Sequence, residues 1–390
     1  MLRLLERLDG ELDVETERRI DDLHRAALQG EQVQRLPVVT SCSEPPSDEL
    51  KPYPLSESVT DPAKMLFDEL VTAWGTSVAR RGTIGDDLPA TVRANMGTVL
   101  VASCFGARIE QHEDDPPWVR HLESREEFVA ALESDASGPT WSSHVERAVE
   151  YMQYYRETLE SFETLGTVVK ITLPDLQGPL DSAAMLRGGE LFLDAVTDPQ
   201  LFEAALERTA DVQIALWRQL RPLTMNEASG FVHQHGVLVA GNILIRDDSS
   251  VMISPEMYEE LVAPAEERVL AAVGGGAIHS CGSIDHVFGR YLANSALRSV
   301  DYGQSWLNDI DAQYSAARRQ GIGLSRVRAE RSELTSGSIL DRFPMGAVLT
   351  YDAPTVADAK QTLSDYHAAV AERRSTAACR QQPNTSRSNT

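Results

Sequence analysis

The chain has 390 residues, 42 % hydrophobic and 24 % charged, which is enough apolar material for a packed core and excludes disorder over the whole length. Acidic residues outnumber basic ones 59 to 36, giving a net charge of −23, which argues against non-specific binding to nucleic acid or to an anionic membrane. No run of about 18 uninterrupted apolar residues occurs, and Met1 to Gly10, with Arg3, Glu6, Arg7 and Asp9, lacks an apolar secretory core, so a cytoplasmic protein without a membrane span is expected.

Residues 14–29 predict an amphipathic helix with Ile20, Leu23 and Leu28 on one face, stopped by Gly30. Residues 41–63, rich in Ser, Pro and Glu, predict an irregular connection, and 64–80 a helix. Gly82, Gly85 and Pro89 then lead into an apolar run, Val92 to Phe105. Strand-like runs follow at Val168–Leu173, Val237–Ile245, Ala277–Cys281, Ser299–Tyr302, Ile322–Leu324 and Val348–Tyr351. Helical patterns accompany them at 144–163, 198–220, 254–272, 283–293, 308–319 and 355–373. Asp198-Pro199 and Ser254-Pro255 read as an N-cap followed by proline at the first helical position. Such alternation predicts parallel βαβ units, although the pattern alone does not decide between an open sheet and a closed barrel. No G-x-G-x-x-G or P-loop follows any strand, which disfavours nucleotide-binding versions. Ser375–Thr390 is polar and reads as a disordered tail.

The sharpest chemical signal is Ala277-Ile278-His279-Ser280-Cys281-Gly282, a short apolar run ending in His-x-Cys-Gly. Residues two apart on a strand project to the same face, so His279 and Cys281 could present imidazole and thiolate to Zn²⁺, or could simply pack in the core. His233 and His235, also two apart, offer a site histidine and a spare metal ligand, with capping or core roles as the alternative. Asp175 and Gln177 follow the Val168–Leu173 strand, where a barrel would place its mouth. Arg93 and Asn95 alternate with apolar neighbours, and an inward Arg in so acidic a chain would clamp an anionic group or serve as a structural ion pair. Asp247 and Asp248 end one strand and Asp301 and Tyr302 another, each open to a catalytic, substrate-binding or capping role. Cys104 reads as packing, Cys42 has no metal-ligand neighbours, and Tyr151, Tyr154 and Tyr155 read mostly as core.

Several segments together resemble the uroporphyrinogen decarboxylase superfamily: Ser254-Pro255-Glu256-Met257-Tyr258 through Pro264, His279-Ser280-Cys281-Gly282, Gln177-Gly178-Pro179-Leu180-Asp181 with Gly188-Gly189-Glu190 and Asp198-Pro199, Arg246-Asp247-Asp248, Arg93-Ala94-Asn95-Met96-Gly97 and Phe105-Gly106. The resemblance spans roughly residues 14–373 and implies an α/β fold, a (β/α)₈ TIM barrel, over 89–374, preceded by a helical extension over 1–88 and followed by the tail at 375–390. The "R-Q-A-G-R" signature of the decarboxylase branch is absent. The branch that resembles this chain more is that of the methylcobamide:coenzyme M methyltransferases, which implies Zn²⁺ held by His279 and Cys281. Where that branch has a second Cys, this chain has Asp352, so Asp352 or His235 is expected to complete the metal site. Asp175 and Asp248 are then the catalytic candidates, and Arg93, Asn95, Gln177, His233, Asp301 and Tyr351 the substrate-binding ones. The methyl group would come from a corrinoid protein, since this chain has no D-x-H-x-x-G cobalamin motif. Two other functions stay open: a metal-independent decarboxylase or lyase on a small acid, with Asp175 or Asp248 as proton donor, and a non-catalytic partner of a corrinoid protein or metabolite.

Overall fold

A computed structural model describes the chain except for residues 43, 45–49, 73–77, 79–80, 112–114, 136–140, 235 and 382–390. In chain order its strands are β1 (Val38–Cys42), β2 (Thr91–Arg93), β3 (Ile109–Glu110), β4 (Trp118–Val119), β5 (Lys170–Thr172), β6 (Leu176–Gln177), β7 (Phe231–Gln234), β8 (Val237–Ala240), β9 (Leu244–Arg246), β10 (Gly276–Ser280), β11 (Leu297–Tyr302), β12 (Gly323–Arg328) and β13 (Ala347–Ala353). Seven form one parallel sheet in the order β1-β13-β12-β11-β10-β9-β6, and β2 pairs in parallel with β5, just upstream of β6. Between the successive strands of this large sheet the chain returns through helices, as parallel pairing requires.

The expected α/β fold with a large parallel sheet is therefore present, whereas closure of the ring is not seen, because no ladder joins β1 to β2 among the described residues. Carboxylates occupy that seam instead. The Val38 amide donates to Asp87 Oδ2 at 2.9 Å and the Thr40 amide to Asp86 Oδ2 at 2.9 Å. Arg35 grips both oxygens of Asp87, at 2.5 and 2.6 Å, which holds the buried carboxyl below its ordinary range although burial opposes this.

The Val237–Ile245 run is not one strand. Gly241, at φ +117°, packs so closely on the backbone of Gly276 that a Cβ would approach its Cα to 2.4 Å. A side chain is excluded there, and the glycine lets the chain turn from β8 into β9. β8 instead closes an antiparallel hairpin with β7. Ser325 Oγ donates to the Leu238 carbonyl at 3.2 Å and Ser299 Oγ to the Ala240 carbonyl at 3.0 Å, fixing the hairpin against β11 and β12.

The amphipathic helix appears at Val14–Leu28, capped by Asp13, whose carboxylate accepts from the Thr16 amide at 2.8 Å. It packs on the starts of the strands: Asp21 pairs with Lys170 at the head of β5 at 2.7 Å, and His24 Nε2 lies 2.8 Å from the Asp87 carbonyl. The 254–272 helix is present with a wide, π-type turn at Tyr258–Val262 just before Pro264, which can donate no amide hydrogen bond. The last helix, Val356–Gln381, continues past Ser375, where the tail was expected to start, while 382–390 lie outside the described residues. None of the described helices is long and apolar enough to cross a membrane.

Candidate metal centre

The strand register builds the site. Gln177, Arg246, His279, Asp301 and Ser325 stand side by side across β6, β9, β10, β11 and β12. Register partners in a parallel sheet project to the same face, so these five form one row near the C-terminal ends of the strands, the end at which α/β sheets carry their sites.

His279 is buried at the centre of that row, with Nδ1 2.8 Å from Asp301 Oδ2. A terminal nitrogen of Arg326 also lies 2.9 Å from Nδ1, but the ionised Asp301 accepts and cannot donate, so the ring proton is placed on Nδ1 and the lone pair on Nε2. The Asp301 carboxylate is itself held by Arg326, whose Nε donates to Oδ1 at 2.8 Å and whose terminal nitrogen donates to Oδ2. Burial works against ionisation of Asp301, but Arg326 and His279 outweigh it and hold the carboxyl well below its usual range. Arg326 reaches Asp301 from a strand irregularity. It has φ +56°, and the pairing with β13 slips between Leu324 and Val327. A bulge of this kind re-aims a side chain at the cost of local strain.

The free Nε2 of His279 faces two more donors, Cys281 Sγ at 3.5 Å and Asp248 Oδ1 at 3.6 Å. One donor atom each from Asp248, His279 and Cys281 lies within 4.8 Å of the others. Tetrahedral Zn²⁺ at its usual bond lengths sets N, O and S ligand atoms roughly 3.3–3.6 Å apart, so the two distances from Nε2 fit such an ion, with one coordination position left over. Burial lowers the pKa of His279, which favours the neutral imidazole that a metal needs. Burial and the neighbouring Asp248 push the Cys281 thiol up to about 11, so without a cation it stays protonated at neutral pH.

The loops around the centre are tightly specified. The Cys281 amide donates to Asp248 Oδ1 at 2.6 Å. Asp248 is set in turn by Asp181, whose carboxylate accepts from the amides of Asp248 at 3.0 Å and Ser249 at 2.8 Å. A Cβ on Gly303 would fall 2.4 Å from Cys281 Sγ, so only glycine leaves room for the thiol.

Several expected roles need correction. Asp352 is not part of the centre: its carboxylate accepts from Ser41 Oγ and lies 3.7 Å from Arg328 Nε, and Asp248 takes its place. Asp248 was expected to be catalytic. Asp301, expected to bind substrate, is fully buried behind His279. Tyr351 points away from the centre, its hydroxyl 2.5 Å from Asp358 Oδ2 on the last helix. His233 is enclosed at the far end, between Glu227 and Asp21. Asp175 is a counter-ion, accepting from Arg93 at 2.6 Å and Arg246 at 2.9 Å. Arg93 thus makes a structural ion pair, with Glu69 Oε1 3.7 Å from its Nε, and Asn95 donates to Glu69 at 3.2 Å. Gln177 is buried, with an amide nitrogen that meets no acceptor among the described residues. His235 lies outside the described residues. The sequence reading missed Arg326 and Asp181 as supports of the centre, since neither carries a spacing signal relative to His-x-Cys.

No protein-family model matches the chain, and no curated protein matches it. Among solved structures it is similar in fold to a methyltransferase from Methanosarcina mazei, with a TM-score of 0.60 at 17 % identity, over 90 % of this chain and 97 % of that one. At this identity the likeness shows a shared fold.

Proposed function

We propose that the chain is a zinc-dependent methyltransferase that passes a methyl group from a methylcorrinoid on a separate protein to a small thiol-type acceptor. The observation that carries this reading is the Asp248–His279–Cys281 cluster, with Asp301 orienting the histidine. Mixed O, N and S donors from three side chains are the ligand set of a catalytic rather than a structural zinc site, and the fold likeness to a methyltransferase agrees with it.

Asp248, His279 and Cys281 would hold the zinc, which would supply the Lewis acidity that lowers the pKa of a thiol acceptor. The protein's own residues do the rest. Asp301 keeps the proton on Nδ1 so that Nε2 is the ligand atom, and Arg326 keeps Asp301 ionised. A carboxylate behind a ligand histidine fixes its tautomer and orientation. Asp181 and the Cys281 amide hold the Asp248 turn in place. Asp175 has both oxygens on guanidinium groups and is poorly suited to donate a proton, which weighs against the decarboxylase alternative.

Metal analysis of protein purified without chelator or nickel resin tests the proposal. About one Zn²⁺ per chain is expected, together with methyl transfer from methylcobalamin to a thiol. Protein that stays metal-free after reconstitution sinks the reading.

A further inference from the structure

Beside the metal centre lies a cavity of about 250 Å³, smaller than drug-sized ligand pockets. Val39, Val237, Tyr302 and Trp306 supply its apolar walls, and Gly303 and Asp352 also line it. Gly303 is the lining residue that touches the metal centre, since a Cβ on it would fall 2.4 Å from Cys281 Sγ. From Gly303 after β11 to Asp352 on β13 is two strand spacings, roughly 10 Å.

The charges lining this cavity, Arg326 and Asp352, and Arg328 beside it are unevenly committed. Arg326 is bound to Asp301. Arg328 lies over the Trp306 ring, 5.0 Å from its centroid, with Nε 3.6 Å from Glu330 Oε1. Asp352 receives the Ser41 hydroxyl, but Arg328 Nε at 3.7 Å is beyond hydrogen-bond range, and its side chain is 53 % exposed. A carboxylate offers about four acceptor positions, so Asp352 retains capacity for a donor from a ligand. A ligand carboxylate or sulfonate there would meet like charge in a chain of net charge −23, whereas an ammonium group would gain a charge-assisted hydrogen bond.

Resting on the methyl-acceptor reading of the metal centre, we propose that this cavity selects the acceptor: a small aminothiol with an apolar middle, its sulfur toward Cys281 and its ammonium on Asp352. The recognised class is thus cationic at the end distant from sulfur.

Cobalt(II)-substituted protein tests this, since thiolate binding to cobalt gives a charge-transfer absorption. Titration with 6-aminohexanethiol should saturate at about tenfold lower concentration than with 6-mercaptohexanoate, the effect of one partly exposed ion pair. Asp352→Asn, a half-exposed substitution that the fold should tolerate, should abolish the preference while cobalt still binds one per chain. Equal affinity, preference for the anionic thiol, or preference that survives Asp352→Asn overturns the proposal. If cobalt itself does not bind, the metal reading has failed, and the cavity is read alone by Trp306 fluorescence, with hexylammonium against hexanoate and Trp306→Phe as control. An ammonium preference lost in Asp352→Asn keeps the subsite, and its absence overturns it.

Discussion

Two buried histidines at opposite ends of the sheet each lie between carboxylates, and they differ in what faces the second nitrogen. His233 has Nδ1 3.0 Å from Glu227 and Nε2 3.3 Å from Asp21, with Lys170 on the same aspartate. His279 has Nδ1 on Asp301, while Nε2 faces a thiol and a carboxylate that is 43 % exposed. Burial pulls both imidazoles toward the neutral form. At His233 the two carboxylates overcome it and raise the pKa, whereas at His279 Arg326 adds to burial and the pKa falls. A histidine bonded at both nitrogens to carboxylates acts as a strut, and one whose second nitrogen faces a thiol and an exposed carboxylate is a poised ligand. Burial alone does not distinguish them, since both are almost fully buried.

The comparison breaks most sharply if metal follows the wrong histidine. His279→Ala and Cys281→Ser should each lose zinc, with affinity reduced at least ~100-fold, whereas His233→Gln should retain it, as read by metal analysis. The cost of His233→Gln should appear in stability, roughly 3 kcal/mol by denaturant titration, because Glu227 stays buried without its partner while Asp21 keeps Lys170. Since its folded pKa is raised, the stabilisation from His233 is fully present below the unfolded value near 6.5 and is lost as pH rises through the folded value.

His24 sharpens the contrast in the opposite direction. Burial lowers its pKa to about 4, so between 6.5 and 4 the unfolded chain takes up a proton that the folded protein refuses. Stability of the wild type should fall across that window by about 3 kcal/mol relative to His24→Gln, so the difference in Tm between the two should narrow or invert as pH drops. The smallest effect is expected at the support of the ligand. Asp301→Asn should weaken zinc binding 10–100-fold, measured by competition with a chelator, by releasing the tautomer of His279. Unchanged affinity would make Asp301 merely a partner for Arg326.

Much of this was legible in the chain. The βαβ alternation follows from hydrophobic periodicity and from caps such as Asp198, which accepts from the Leu201 amide at 3.2 Å. His279 and Cys281 were legible because both sit within one short segment, where period-two geometry fixes their relation. Asp352 was misplaced because its assignment relied on position along the chain, and on β13 the side chain meets Ser41 across the β1 pairing.

By itself, the sequence determined most of the strands and helices, though not the break at Gly241, and which local pair could bind a metal, because those depend on neighbours within a few residues. The tertiary structure decided the third donor, the orientation of His279 and the seam between β1 and β2. Asp248 lies 33 residues from Cys281 and Asp301 lies 22 from His279, and the sheet register brings them together. A carboxylate's role depends on which cation or amide finally stands within about 3 Å of it, and strand pairing settles that across the whole chain.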